Sequence, residues 1–160
     1  MNIYTLLAAA LTGYLLGSVS MARLMGRLFA PDEDLSSQDY QILGGDMMTL
    51  EIASATNVSQ KLGPRFGCTV SLLDMLKVFL PTLFFRLTFP EAPYFLAVAA
   101  LGVVGHNFPV FYRFKGGGGL SAALGGLLIV DWLAVLVTPA AGMFLGMVFS
   151  YSIWFTILPE

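Results

Sequence analysis

The sequence predicts an all-α fold: one membrane domain over residues 1–160, a polytopic bundle of about five spanning helices with the N-terminus outside. Three observations carry this. The chain is 57% hydrophobic and 11% charged, with a mean hydropathy of +0.79, whereas ordinary soluble domains carry about 25% charge. Its apolar residues gather into segments 3–24, 67–89, 93–111, 120–137 and 140–158, each near the roughly 20 residues that cross hydrocarbon. Cations are also lopsided. Arg23, Arg27, Lys61, Arg65, Arg113 and Lys115 fall on one side of this arrangement and only Arg86 on the other, which by the positive-inside rule assigns the first side to the cytoplasm.

The first segment ends in Ser18-Val19-Ser20-Met21-Ala22, a string of small residues that imitates a signal-peptide cleavage site. No Lys or Arg precedes it, and Arg23 and Arg27 follow, an order that fits a retained helix whose C-terminal end lies inside. Gly13 and Gly17, continued by Ser20, form a small-residue stripe suited to close helix packing. Arg23 and Arg27 either snorkel to headgroups or help to hold an anion.

Residues 30–66 form the only long polar stretch, and its Pro31, Gly44, Gly45 and Pro64 argue for a cytoplasmic loop rather than a span. Asp32, Glu33 and Asp34 at its start read as a solvated surface. Further on, Ser54-Ala55-Thr56-Asn57 precedes Lys61, Gly63 and Arg65. Small hydroxylic residues beside cations suit a phosphate, since N–H and O–H groups donate while the cations neutralise. An N-cap by Thr56 or Asn57 accounts for the same residues equally well.

In the second span Cys68, Ser71, Asp74 and Lys77 recur every three residues, laying a polar stripe on one helix face. Charges at that depth are costly and mark a pathway or an internal ion pair; Asp74 and Lys77, at i and i+3, are within reach of each other. Two readings stay open: mutual neutralisation that locks packing, or a lysine leaning into a polar cavity with Asp74 orienting it.

The third span runs into Gly105-His106-Asn107-Phe108-Pro109 and then Lys115-Gly116-Gly117-Gly118-Gly119. Four glycines have poor helix propensity, so this turn, residues 105–119, is expected at the cytoplasmic membrane surface. Its unhindered N–H groups ahead of a helix N-terminus make an anion site. His106, the only histidine, is able to exchange a proton near neutral pH. The last two segments carry little chemistry: Asp131 reads as an interfacial carboxylate, and Pro139 as the turn between them.

The composition also excludes functions. A net charge of −2 gives no nucleic acid a reason to bind, one cysteine rules out a disulfide within the chain, and no Cys/His spacing points to a metal. No cofactor is expected.

Taken in order, several stretches resemble the bacterial integral-membrane acyl-phosphate–glycerol-3-phosphate acyltransferases. Gly17-Ser18-Val19-Ser20-Met21-Ala22-Arg23-Leu24 is similar to the family's GSIPxGxL, and Ala55-Thr56-Asn57-Val58 with Leu62-Gly63 to the end of GSGNxGATNVxRxLG. Leu73-Asp74-Met75-Leu76-Lys77 resembles LDxxKG. Gly105 to Phe111 and Phe114-Lys115-Gly116-Gly117 are similar to GHxFPxFxxFKGGKGxAT. The chain departs where the family has GSGN, reading Thr49-Leu50-Glu51-Ile52; Ser54 replaces a glycine, Gln60 an arginine and Gly118 the second lysine, and the later Arg-Tyr element survives as Ser150-Tyr151. The family's C-terminal His and Asn segment lies outside these residues.

The resemblance implies a multi-pass protein of the bacterial plasma (inner) membrane, with its site facing the cytoplasm. It implies transfer of a fatty acyl group from acyl phosphate to the 1-hydroxyl of glycerol 3-phosphate, giving lysophosphatidic acid for phospholipid biosynthesis. Thr56, Asn57, Lys61, Lys77, Lys115 and Gly116, Gly117, Gly118 and Gly119 are then expected to hold the phosphates, with His106 and Asn57 as the catalytic residues. Partners follow as the two substrates and membrane lipid, with a homo-oligomer or partner helices completing the bundle. The replaced residues keep a second reading in play, a catalytically impaired relative that binds acyl phosphate or anionic lipid as a sensor, scaffold or subunit. A third, an anion channel around Asp74 and Lys77, is weaker.

Overall fold

A computed structural model describes residues 2–32, 35, 38–41, 47–50 and 52–157. It is a helical bundle, as the sequence predicts. Its elements are α1 (Ile3–Gly17), α2 (Met21–Phe29), β1 (Gln38–Gln41), β2 (Met47–Leu50), α3 (Ala55–Leu62), α4 (Pro64–Thr88), α5 (Tyr94–Asn107), α6 (Leu120–Val130) and α7 (Trp132–Ile157). A 3₁₀ turn, Val110–Tyr112, follows α5.

α1 starts on Asn2, whose side chain accepts the Tyr4 N–H at 2.9 Å, and ends at Ser18, whose hydroxyl donates to the Tyr14 carbonyl. The sequence reads as one helix through residue 24, but the chain breaks at Ser18–Ser20. Ser20 restarts it as an N-cap, accepting from the Arg23 N–H, because a serine hydroxyl competes for the amides that a continuing helix would bond.

α1 and α5 run in the same direction. The Asn2 N–H donates to the Tyr94 hydroxyl at one end, and the Tyr14 hydroxyl to the Phe108 carbonyl at the other. Between these ties the backbones touch: a Cβ on Gly13 or Gly17 would overlap the Val98 or Gly102 carbonyl, and one on Gly105 the Tyr14 carbonyl. The small-residue stripe is thus a packing seam.

α4 runs antiparallel to α5, with Val78 against Gly102. α6 runs parallel to α4, Ser71 meeting Ser121 at 2.8 Å and Gly125 lying on the Met75 carbonyl. The end of α1, the start of α4, the end of α5 and the start of α6 therefore share one end of the bundle. A core of Ala22, Leu35, Ala53, Val58 and Val70 lies there, while Ala9, Phe85, Tyr94 and Val98 pack at the far end.

The stretch 30–66 departs from a plain loop. It contains an antiparallel β1–β2 pairing, Gln38 opposite Leu50, then α3 and the first turn of α4. Glu33, Asp34, Gly44, Gly45 and Glu51 lie outside the described residues.

Four helical runs among the described residues are long and apolar enough to cross a membrane: Ile3–Phe29, Pro64–Thr88, Tyr94–Tyr112 and Trp132–Phe149. The expected turn at Pro139 is absent; the break falls at Asp131. Its carboxylate accepts from the Leu133 and Ala134 N–H groups at 3.0 and 3.3 Å and caps α7, and a capping carboxylate starts a helix well. α7 then runs through Pro139, which a membrane helix tolerates. α6 is correspondingly short: 11 residues reach about 16 Å.

Candidate functional site

Two segments far apart in sequence are laced together at the shared end. The Ala53 N–H donates to the Gly116 carbonyl at 3.2 Å, and within the turn the Gly117 N–H donates to the His106 carbonyl at 3.1 Å. Between them opens a cleft of about 270 Å³, lined by Ser54, Ala55, Thr56, Ser71, Asp74, His106, Gly118, Gly119, Leu120 and Ser121.

Two helices begin at this cleft. α3 starts from Ser54, in extended conformation, whose hydroxyl oxygen accepts the Asn57 N–H at 3.2 Å. The cap is therefore Ser54 rather than Thr56 or Asn57. Asn57, 1% exposed, donates from Nδ2 to the Ile52 carbonyl at 2.5 Å and accepts the Ser54 hydroxyl at 3.1 Å. It lies beneath the cleft and fixes the approach to α3. The first-turn amides of Ala55 and Thr56 are left for the cleft, because the opening N–H groups of a helix have no partner within it.

α6 starts differently. Gly119 is its N-cap, in the left-handed region at φ 80°, with no side chain to satisfy the first amides. A Cβ there would overlap Asn107 Oδ1. The two helix starts together aim several N–H groups, and the positive ends of two helix dipoles, at one space.

The four glycines divide by task. Gly116 and Gly117 are wedges: a Cβ on the first would overlap the His106 carbonyl, and one on the second would meet His106 Nε2 and the Ala53 carbonyl. Gly118 and Gly119 line the cleft. The reversal before them places Arg113 and Phe114 at φ 53° and 63°, a region costly for side-chain-bearing residues. It is clamped by Arg23, whose Nη1 donates to the Lys115 carbonyl at 2.6 Å while its guanidinium sits 4.6 Å from the centre of the Tyr112 ring.

The lysines expected at the site stand elsewhere. Lys115 is exposed on the turn, and Lys61 is exposed in the last turn of α3; neither lines the cleft. Lys77 lies beneath it, 2.8 Å from Asp74 Oδ1, 2.5 Å from the Val19 carbonyl and 2.9 Å from His106 Nδ1. The Val19 carbonyl is one that the break in α1 leaves without a helical partner, and the ammonium supplies it. Asp74 lines the cleft with its charge matched from below, which is how a carboxylate persists at this depth. Cys68 is exposed in the second turn of α4, outside the cleft. Among the described residues no group of His, Cys, Asp and Glu is arranged to hold a metal ion.

Ser121 is the lining residue that sequence reasoning overlooked. Its signal was its place two residues after the last glycine, in the first turn of a helix.

A match to the family described as glycerol-3-phosphate acyltransferase spans residues 7–158. A relative named glycerol-3-phosphate acyltransferase in Aquifex aeolicus is 32% identical over 145 residues, covering 90% of this chain and 63% of that protein. The fold is also similar to crystal structures of PlsY, an integral membrane glycerol 3-phosphate acyltransferase. Its glycerol 3-phosphate form aligns with a TM-score of 0.68 at 31% identity, covering 88% of this chain and 66% of that one. Its lysophosphatidic acid form aligns at 0.66, covering 82% and 59%. The chain thus spans less than two thirds of the length of each.

Proposed function

The chain belongs to the glycerol-3-phosphate acyltransferase family of integral membrane proteins, and on that premise we propose that it transfers a fatty acyl group from acyl phosphate to glycerol 3-phosphate in phospholipid biosynthesis. The observation that carries this reading is the convergence of two helix N-termini, α3 and α6, on one cleft.

Both substrates end in phosphate, and such a cleft binds phosphate through fixed amides without a cation in contact. Ala55, Thr56, Gly118, Gly119 and the first turn of α6 donate to it; Ser71 and Ser121 add hydroxyls. Asn57 and the wedges Gly116 and Gly117 hold the donors in place. Lys61 and Lys115 act from the rim, raising the local concentration of anions rather than touching them. In the reaction the glycerol 1-hydroxyl bonds to the acyl carbon, the acyl–phosphate C–O bond breaks, and the hydroxyl proton leaves with the phosphate. The donor is already activated, so no acyl-enzyme is needed. Preorganised amides stabilise the developing charge, and holding both substrates in one place supplies much of the rate.

The domain is one unit over residues 1–160 in the plasma (inner) membrane of a bacterium, with the cleft at the cytoplasmic face and the N-terminus outside, in keeping with Arg23, Arg27, Lys61, Arg65, Arg113 and Lys115 gathering at the cleft end and Arg86 alone at the other. α7, whose described side chains between Trp132 and Phe149 are almost all exposed, leaves a place for a second copy or partner helices.

The test is phosphate release from acyl phosphate by the protein in bilayers, with and without glycerol 3-phosphate. Release that depends on glycerol 3-phosphate supports the reading. Binding of acyl phosphate without turnover would replace it with the non-catalytic relative, and no binding at all would remove both.

A further inference from the structure

We propose that Lys77 is a positioning residue acting through His106: it locks the imidazole in the tautomer protonated on Nε2, so that His106 offers the cleft a hydrogen-bond donor instead of a base. The part this plays in catalysis rests on the acyltransferase reading; the tautomer itself does not.

An ammonium has three N–H donors and no acceptor, whereas a neutral imidazole has one of each. Lys77 Nζ donates to the Val19 carbonyl at 2.5 Å and stands in an ion pair 2.8 Å from Asp74 Oδ1, which takes no hydrogen bond among the described residues. It also meets His106 Nδ1 at 2.9 Å. An ammonium only donates, so in the Lys77–His106 hydrogen bond Nδ1 must carry its lone pair, which sends the ring proton to Nε2. Asp74 Oδ1 stands farther from Nδ1, at 3.6 Å, within ion-pair distance but longer than a hydrogen bond, so Lys77 is the nearer partner of that nitrogen. A proton on Nδ1 would point at an ammonium that has no lone pair to accept it.

The opposite edge of the ring lies toward the glycine turn beside the cleft. Nε2 lies against Gly117, where a Cβ would overlap it, and the residue lines the cleft. Lys77 and Asp74 from α4 and Gly117 from the turn stand against the ring. His106 thus adds one side-chain N–H to the amides of α3 and α6. It is suited to a phosphate oxygen or a developing oxyanion, and it does not accept the substrate's proton.

The single histidine makes the test direct. Nitrogen-15 NMR of histidine-labelled protein in lipid should show Nε2 protonated and Nδ1 bare, and Lys77→Met should release the ring to a mixture of tautomers. A proton on Nδ1 in the wild type, on both nitrogens, or a Lys77→Met spectrum matching the wild type overturns the assignment. Binding of inorganic phosphate supplies a second readout. His106→Gln keeps an N–H near the Nε2 position and should bind within about threefold of wild type. His106→Asn places its amide near Nδ1 and should weaken binding about tenfold, the worth of one hydrogen bond to a charged group. Equal losses in the two variants would refute the donor role. If tautomer and phosphate binding come out as described while acyl phosphate is never turned over, the enzyme reading fails and this assignment stands.

Discussion

The two ends of the bundle are held by different means. At the far end Phe85, Phe89 and Tyr94 pack ring against ring, tilted and then edge-to-face, with centroids 5.8 and 5.4 Å apart, and Arg86 lies over Phe95. At the cleft end aromatic contacts are fewer, Phe29 against Phe66 and Arg23 over Tyr112, and the backbone does more of the packing. Backbones approach until only glycine fits, and carbonyls of one segment take N–H groups of another. Aromatic packing stabilises while tolerating small shifts, whereas backbone-to-backbone contact fixes donor positions closely. The phosphate site proposed for this end would need the second property, and the family-like motifs gather there while the aromatic residues gather at the other.

That contrast is open to direct attack. Phe85→Ala at the far end should cost about 3–5 kcal/mol of stability, read by unfolding in detergent, and leave phosphate affinity unchanged; a matching loss of affinity would show that the ends are coupled. Gly117→Ala should cost about 1–3 kcal/mol by overpacking, yet lower phosphate affinity severely, because its Cβ enters the space of His106 and the Ala53 carbonyl. Ser54→Ala should cost about 1 kcal/mol through the lost cap and weaken binding several-fold, and Ser54→Asp should restore the helix start while repelling the anion. Lys115→Ala should be mildest: the apparent KM for a phosphate substrate rises a few-fold at low salt and converges on wild type as screening increases. An unchanged KM at low salt would remove Lys115 from the rim.

Much of this was legible in the residues. Membrane class follows from hydropathy and sparse charge, and the meeting of the Thr56 stretch with the glycine turn follows from their lying on the same side of the spans. What escaped was long-range or a contest between local signals. Lys77 finds Val19 and His106, 58 and 29 residues away, and helical periodicity reveals only its i−3 partner Asp74. Asp131 and Pro139 each argue for a break, and the carboxylate won because a capped start satisfies two amides whereas the proline forfeits one bond. The break at Ser18–Ser20 has no proline or central glycine to announce it. Of the glycines, sequence suggested four equal amides; packing made two of them wedges.

Cys68 has a practical consequence. It is the chain's one thiol, on the surface of the bundle one turn beyond Arg65, near the cleft-end start of the Pro64–Thr88 run. Sidedness can therefore be read on the unaltered protein. A membrane-impermeant maleimide should miss it in intact cells and label it in inverted vesicles, so a single chemical handle reports which leaflet the cleft opens toward.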